Sequence, residues 1–189
     1  MNLTERLYRF RSFWIFPLVG IALIDLASRA EPQRRLGDLL WLLVLGGFIW
    51  TLLEYVLHRF LFHIQISPGR PRLRSMVNGY HLEHHASPRD PNKVLVQPVF
   101  GLVFSAFLYA LLYALSRSLF SAAGLVAGIW MGFLYYEAVH YRAHFSLSPS
   151  GLIAHQRRAH FYHHFTNNRR RFGVTSPIWD YVFGTASLK

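Results

Sequence analysis

Ten of the 11 histidines in this 189-residue chain fall into four sets: His58 and His63; His81, His84 and His85; His140 and His144; His160, His163 and His164. Neutral imidazole is a common ligand for first-row transition metals, and ten of them are enough to surround two ions. The spacing suits that chemistry. Residues at i, i+3 and i+4 share a helical face, so the second and fourth sets each present three rings together, and His140 with His144 presents two. His58 and His63 stand about 140° apart on an ideal α-helix. That pair either straddles a helix end or bends to converge. His155 has no partner at ligand spacing and reads as an ordinary polar residue.

Competing metal chemistries fit less well. Zinc proteases need His-Glu-x-x-His, which the chain lacks. Soluble di-iron bundles need two Glu-x-x-His strings, and only Glu137 to His140 has that form. A bis-histidine haem protein carries its ligands well inside its spans, whereas these histidines begin where the apolar runs stop. Cysteine is absent, so there is no thiolate ligand or disulfide framework. An all-imidazole site beside lipid suits iron handling oxygen, and zinc fits the same nitrogens. Glu54 lies one turn before His58 and Glu137 one turn before His140, where each is placed to accept the second N–H of a ligand imidazole. Glu83 sits inside the second set, and Asp90 and Asp180 are weaker candidates for the same supporting role.

Positioning these sets falls to four apolar runs, at 12–28, 39–57, 96–115 and 119–139. Each is near the roughly 20 residues that cross a bilayer core. Composition agrees, with 52% hydrophobic residues and a mean hydropathy of +0.21. The first run is the weakest, because Pro17 and Asp25 interrupt it. With the basic residues Arg6, Arg9 and Arg11 before it and Ser28-Arg29-Ala30 after it, a cleaved signal peptide is the alternative. Its length and internal charge count against that.

Two apolar hairpins return both halves of the histidine set to one side. The net charge of +11 follows the same topology. Arg6, Arg9, Arg11, Arg59, Arg70, Arg72, Arg74, Arg89, Lys93, Arg142, Arg157, Arg158, Arg169, Arg170, Arg171 and Lys189 fall on the histidine side, against Arg29, Arg34, Arg35 and Arg117 on the other. That bias puts the histidine side in the cytoplasm, and an anionic lipid surface accounts for the charge without nucleic acid. Ser67-Pro68-Gly69, Ser87-Pro88 and Ser148-Pro149-Ser150-Gly151 mark turns. The expected fold is all-α: one multi-pass membrane domain over 1–189, with four transmembrane helices in two hairpins and a cytosolic helical cap holding a histidine-rich di-metal site.

From His58 onward the order of the four sets resembles the fatty acid hydroxylase/sterol desaturase superfamily of membrane di-metal oxygenases. The run His84-His85-Ala86-Ser87-Pro88-Arg89-Asp90-Pro91 with Val96-Gln97-Pro98, then His140-Tyr141-Arg142-Ala143-His144, and the closing stretch from Phe172-Gly173 to Gly184-Thr185 are most similar to its fatty acid 2-hydroxylase branch. The resemblance implies O2-dependent hydroxylation of an aliphatic C–H, at carbon 2 of a long acyl chain that is free or in a sphingolipid-type amide. Two electrons are consumed; one oxygen atom enters the substrate and the other leaves as water.

The resemblance also implies that the ten clustered histidines hold two iron ions, with a membrane lipid as substrate. Eukaryotic members often carry a fused cytochrome b5 domain. This chain has no room for one, so a separate cytochrome b5- or ferredoxin-like donor is expected at the basic face. Trp50, Tyr135 and Tyr136 lie on spans two and four, where an acyl chain would enter. Tyr136 is the channel candidate, while Trp50 and Tyr135 suit an interfacial aromatic belt. Trp179 and Phe183, in the family-like tail, are candidates for a lid over the site. A carotenoid ring hydroxylase or a sterol-type oxidase shares the histidine order. A non-catalytic metal carrier would place its ligands at the bilayer midplane.

Overall fold

The structure, a computed structural model, describes residues 3–147 and 150–186. Ser148-Pro149 of the expected third turn and Lys189 of the charge tally lie outside the described residues. The regular elements are helical. They are α1 (Leu3–Arg9), α2 (Ser12–Ala30), α3 (Leu36–Val56) running on into a π-helical turn (Leu57–Phe62), α4 (Pro71–Arg74) followed by a second π turn (Ser75–Gly79), α5 (Tyr80–Ala86), α6 (Pro98–Ser116), α7 (Leu119–Phe145), α8 (Gly151–Phe165) and α9 (Ile178–Val182).

Among the described residues, four helices are long and apolar enough to span a membrane: Ser12–Ala30, Leu36–Phe62, Pro98–Ser116 and Leu119–Phe145. The interrupted first run is therefore a continuous helix. Pro17 sits in its second turn, and Asp25 pairs with Arg29 one turn on, at 2.9 Å. The second and fourth helices reach past the expected ends at 57 and 139, to 62 and 145. At 1.5 Å per residue each 27-residue helix is about 40 Å long, roughly 10 Å more than a hydrocarbon core needs. The surplus is the last two turns, which carry His58 on one helix and His140 and His144 on the other. Hydropathy stops at those turns because their side chains are ligand-type rather than lipid-type. The helix does not stop.

The chain forms two compact units, one of residues 1–50 and 96–134 and the other of residues 51–95 and 135–189. In the first, α7 is the buried helix. Ala27, Phe120 and Ala123 form a core with Leu23, Ile24, Leu39, Leu42 and Tyr109. Phe16 meets the Trp130 and Phe133 rings edge-on, and the Trp130 indole N–H donates to Ser105 Oγ at 2.7 Å. Glu31 joins the hairpins at the other end by accepting from Ser118 Oγ at 2.7 Å and from Arg34 Nε at 3.1 Å. Outward faces stay apolar: Phe107 and Leu115 are each 74% exposed and Ile21 67%. A surface of that kind is stable against lipid tails rather than water.

The helices α3 and α7 cross at glycines. A Cβ at Gly128 would overlap the Leu43 carbonyl and stand 2.9 Å from Gly46 Cα, and a Cβ at Gly46 would overlap the Leu125 carbonyl. Small residues of this kind let two backbones approach where no hydrophobic effect drives helices together. Gly128→Leu is expected to cost about 1–3 kcal/mol, read as a lower thermal unfolding midpoint in detergent. Gly37→Ala, where a Cβ meets nothing within 4 Å, is the control. Equal midpoints for the two variants would refute the close crossing.

Candidate metal centre

The second unit gathers all ten clustered histidines into two groups of five. Group one is His58, His63, His81, His85 and His163; group two is His84, His140, His144, His160 and His164. Within each group, one ligand atom from every ring lies within 4.8 Å of all the others. His155 is exposed on α8 and belongs to neither.

Local helical geometry explains the sorting. His81 with His85, His140 with His144 and His160 with His164 are i, i+4 pairs, and each pair stays in one group. The i+3 residue of each three-histidine set, His84 or His163, crosses to the other group. The helices α5 and α8 thus feed both groups with opposite emphasis, while α3 serves group one and α7 group two. His58 and His63 share group one because the chain between them is a π turn, whose i→i+5 bonding places residue i+5 nearly under residue i. Their ring centroids are 5.1 Å apart. Of the two outcomes open for this pair, the rings converge, because the helix changes its pitch. Between the groups, the His85 and His164 rings stack at 4.1 Å.

Nitrogen spacing is that of ligands around an ion. In group one, His63 Nε2 lies 3.0 Å from Nε2 of both His81 and His163, and His85 Nε2 lies 3.0 Å from His81 Nε2. In group two the separations are 3.1 Å for His84 to His164, 3.1 Å for His140 to His84 and 2.9 Å for His144 to His160. Two nitrogens at right angles on one ion, each bonded at about 2.1 Å, stand about 3.0 Å apart. Five inward nitrogens cannot all pair by sharing protons. His58 Nε2 is buried with no hydrogen-bond partner among the described residues, although His58 Nδ1 is bonded. A cation satisfies all five lone pairs at once, so the residues fit a pair of imidazole-bound metal ions.

Burial keeps the rings in the ligand form. It lowers the pKa of His63 and His85 to about 4 and of His84 and His163 to about 3. His81, His160 and His164 are pushed down by the same desolvation, reinforced by neighbouring imidazoles.

The outer layer is built on the backbone of residues 170–175. His58 Nδ1 donates to the Phe172 carbonyl at 2.5 Å and His163 Nδ1 to the Arg170 carbonyl at 2.7 Å, which leaves the lone pair of each Nε2 facing inward for an ion to use. The same segment gives its amides to two carboxylates. Glu54 accepts from Val174 N at 2.5 Å and from Thr175 N at 2.9 Å, as well as from the Thr175 hydroxyl. Its link to His58 therefore runs through the backbone. Asp180 accepts from Phe172 N and Gly173 N, each at 2.9 Å, and from Thr185 Oγ1 at 2.7 Å. Gln156 Nε2 donates to the Thr175 carbonyl at 2.9 Å.

Glu137 is fully buried one turn before His140, and Asp90 accepts from Asn92 N at 3.0 Å in the turn after α5. Tyr136 stacks on the His140 ring at 5.2 Å. Trp179 Nε1 donates to Thr51 Oγ1 at 2.9 Å, and the Phe183 ring stacks on Tyr55 at 5.2 Å, so α9 lies along the end of α3. Tyr55 also bonds Thr185 Oγ1 at 3.0 Å and accepts from Arg59 Nη1 at 2.6 Å. Sequence reasoning missed the Arg170 and Phe172 carbonyls, together with Tyr55, Arg59, Gln156 and Thr185. The only sign of them was the family-like phrase around Phe172 and Thr185.

A helical membrane protein with two five-histidine groups is a narrow class, and comparison with known proteins places the chain within it. The fatty acid hydroxylase family model matches residues 43–185, and the chain belongs to that family. It is 32% identical over 143 residues to a ceramide very long chain fatty acid hydroxylase of Schizosaccharomyces pombe, covering 75% of this chain and 41% of that one. It is 36% identical over 146 residues to the fatty acid 2-hydroxylase of Rattus norvegicus, covering 76% and 39%. With a dihydroceramide fatty acyl 2-hydroxylase of Arabidopsis thaliana it shares 32% over 175 residues, covering 92% and 70%. The chain thus spans about two fifths of the length of the first two relatives. A solved structure described as full-length scs7p with only its hydroxylase domain visible superposes with a TM-score of 0.76 at 31% identity, over 91% of this chain and 65% of that one.

The depressed histidine values set a pH dependence for the metal-free protein. Folded values near 3 to 4 lie below the unfolded 6.5, so between those limits the unfolded chain binds more protons than the folded one. Stability is therefore full above pH 6.5 and falls as the pH drops toward about 4. Thermal unfolding in detergent should give a lower midpoint at about pH 5 than at about pH 7.5. An equal or higher midpoint at the acidic value would refute a set of buried, neutral imidazoles.

Proposed function

We propose that the chain is an O2-dependent lipid hydroxylase that acts at carbon 2 of a long-chain fatty acyl group and works as one functional domain over 1–189. The observation that carries this reading is the pair of five-imidazole groups, because ten neutral nitrogens without a carboxylate at the centre suit two iron ions, with zinc able to occupy the same nitrogens. When bound, such a metal pair supplies the reductive activation of O2 that aliphatic C–H insertion requires. The printed names of the relatives, which are fatty acid or ceramide hydroxylases, support the acyl substrate.

The chain's own residues then have distinct tasks. His58, His63, His81, His85 and His163 hold one ion, and His84, His140, His144, His160 and His164 hold the other. Glu54 and Asp180 fix the segment that orients His58 and His163. Glu137 and Asp90 serve as outer supports for α7 and for the turn after α5. Tyr136, stacked on His140, stands where an acyl chain passes the second group, and Trp179 and Phe183 close the site along α3. Such fixed walls place one methylene against the oxidant, the positional part of catalysis. Excess Lys and Arg on the histidine side put the site at the cytoplasmic face, where a separate cytochrome b5- or ferredoxin-like donor delivers the two electrons.

Lipid mass spectrometry of host cells with and without the gene tests the reaction. The expected result is a gain of about 16 daltons on acyl chains, one oxygen atom. This product should vanish in His84→Ala and His163→Ala while the protein stays in the membrane fraction. A gain on carotenoids instead, or unchanged product in both variants, would overturn the proposal.

A further inference from the structure

The two histidine groups differ in what stands behind them. In group two, Nδ1 of His84, His140, His160 and His164 is buried without a hydrogen-bond partner among the described residues. In group one, His58 and His163 each donate Nδ1–H to a backbone carbonyl. The two carbonyls are not equivalent.

The Phe172 carbonyl and the Gly173 N–H belong to one peptide unit, whose resonance couples its two ends. Gly173 N–H donates to Asp180 Oδ2 at 2.9 Å while the Phe172 carbonyl accepts from His58 at 2.5 Å. A full negative charge at the N–H end polarises the amide and makes its oxygen a stronger acceptor. A stronger acceptor at Nδ1 makes Nε2 a better donor and fixes the ring's tautomer and angle. Gly173 allows the approach, since a Cβ there would stand 3.0 Å from Asp180 Oδ2 and overlap the Ser176 carbonyl. Asp180 itself is 1% exposed, so water screens little of its charge.

The neighbouring contacts lack one part or another of this arrangement. The peptide unit that serves His163 ends in Arg171 N–H, which donates to the neutral Thr185 carbonyl at 3.1 Å. Glu54 takes the amides of Val174 and Thr175, which belong to the next two peptide units and not to the one that His58 bonds.

We propose that Asp180 is a positioning residue for group one, acting on His58 as the charged end of a carboxylate–peptide–imidazole relay. The relay makes the two ion positions unequal, with group one the better donor set. This inference rests on the reading that group one holds an ion.

The test uses the full chain in detergent micelles loaded with Co2+, whose visible absorption reports ligand strength. Asp180→Asn should shift the absorption of one of two bound cobalt ions and speed its loss to a chelator by about 10–100-fold, with the second ion and the helical circular dichroism unchanged. Glu54→Gln removes a neighbouring carboxylate that holds the same segment but stands outside the relay, so it should move the spectrum of that ion less than Asp180→Asn does. Thr185→Val keeps the charge but frees Oδ1 of a competing donor, so it should shift the same band in the opposite direction. If Asp180→Asn does not fold, Thr185→Val decides alone. Unmoved bands, or equal effects of Asp180→Asn and Glu54→Gln, overturn the relay. A wild-type chain that takes up no cobalt overturns the metal reading itself.

Discussion

Ten imidazoles can share one buried volume only as neutral bases with their lone pairs turned inward. Protonating two adjacent rings would set like charges a few ångströms apart in a medium that screens poorly. Leaving the nitrogens unbonded strands polar atoms away from water. The depressed pKa values and the His58 Nε2 atom without a partner are two signs of the same constraint. A cation at the focus of each group would meet it. The cap helices, the π turn after α3 and the 170–175 segment all bring nitrogens to those two points.

The polar bookkeeping around the site is indirect. Glu54 and Asp180 bind four successive backbone amides, from Phe172 to Thr175. The Phe172 carbonyl of the same stretch accepts from the His58 imidazole, and the Arg170 carbonyl just before it accepts from His163. An irregular segment held by two buried acids becomes as rigid as a helix turn, and it fixes ring tautomers without a side chain at the contact. Both acids have hydrogen-bond donors on each oxygen, which is the condition under which buried polar groups are tolerated.

Much of this was legible in the sequence. Lipid demands about 20 apolar residues per crossing, so four spans stood out, and histidine spacing named all ten members of the two groups. The ends of the spans did not stand out, because the turns bearing His58, His140 and His144 are helical without being apolar. The division of ligands between the groups was also hidden. On a helix i+3 and i+4 share a face, and only packing decides that His84 and His163 cross over while His85 and His164 do not. The spacing of His58 and His63 left two outcomes open until the π turn settled the matter. Backbone carbonyls carry no residue signature, so Phe172 and Arg170 could not be picked out, and the position of Glu54 one turn before His58 did not reveal that its oxygens reach 120 residues along the chain.

The most direct test of the central claim is X-ray absorption at the metal K-edge on purified, metal-loaded protein. The account predicts a shell of nitrogens at about 2.1 Å with the outer-shell scattering of several imidazoles per ion, and two ions per chain. A shell dominated by short carboxylate oxygens, or a single ion per chain, would contradict it.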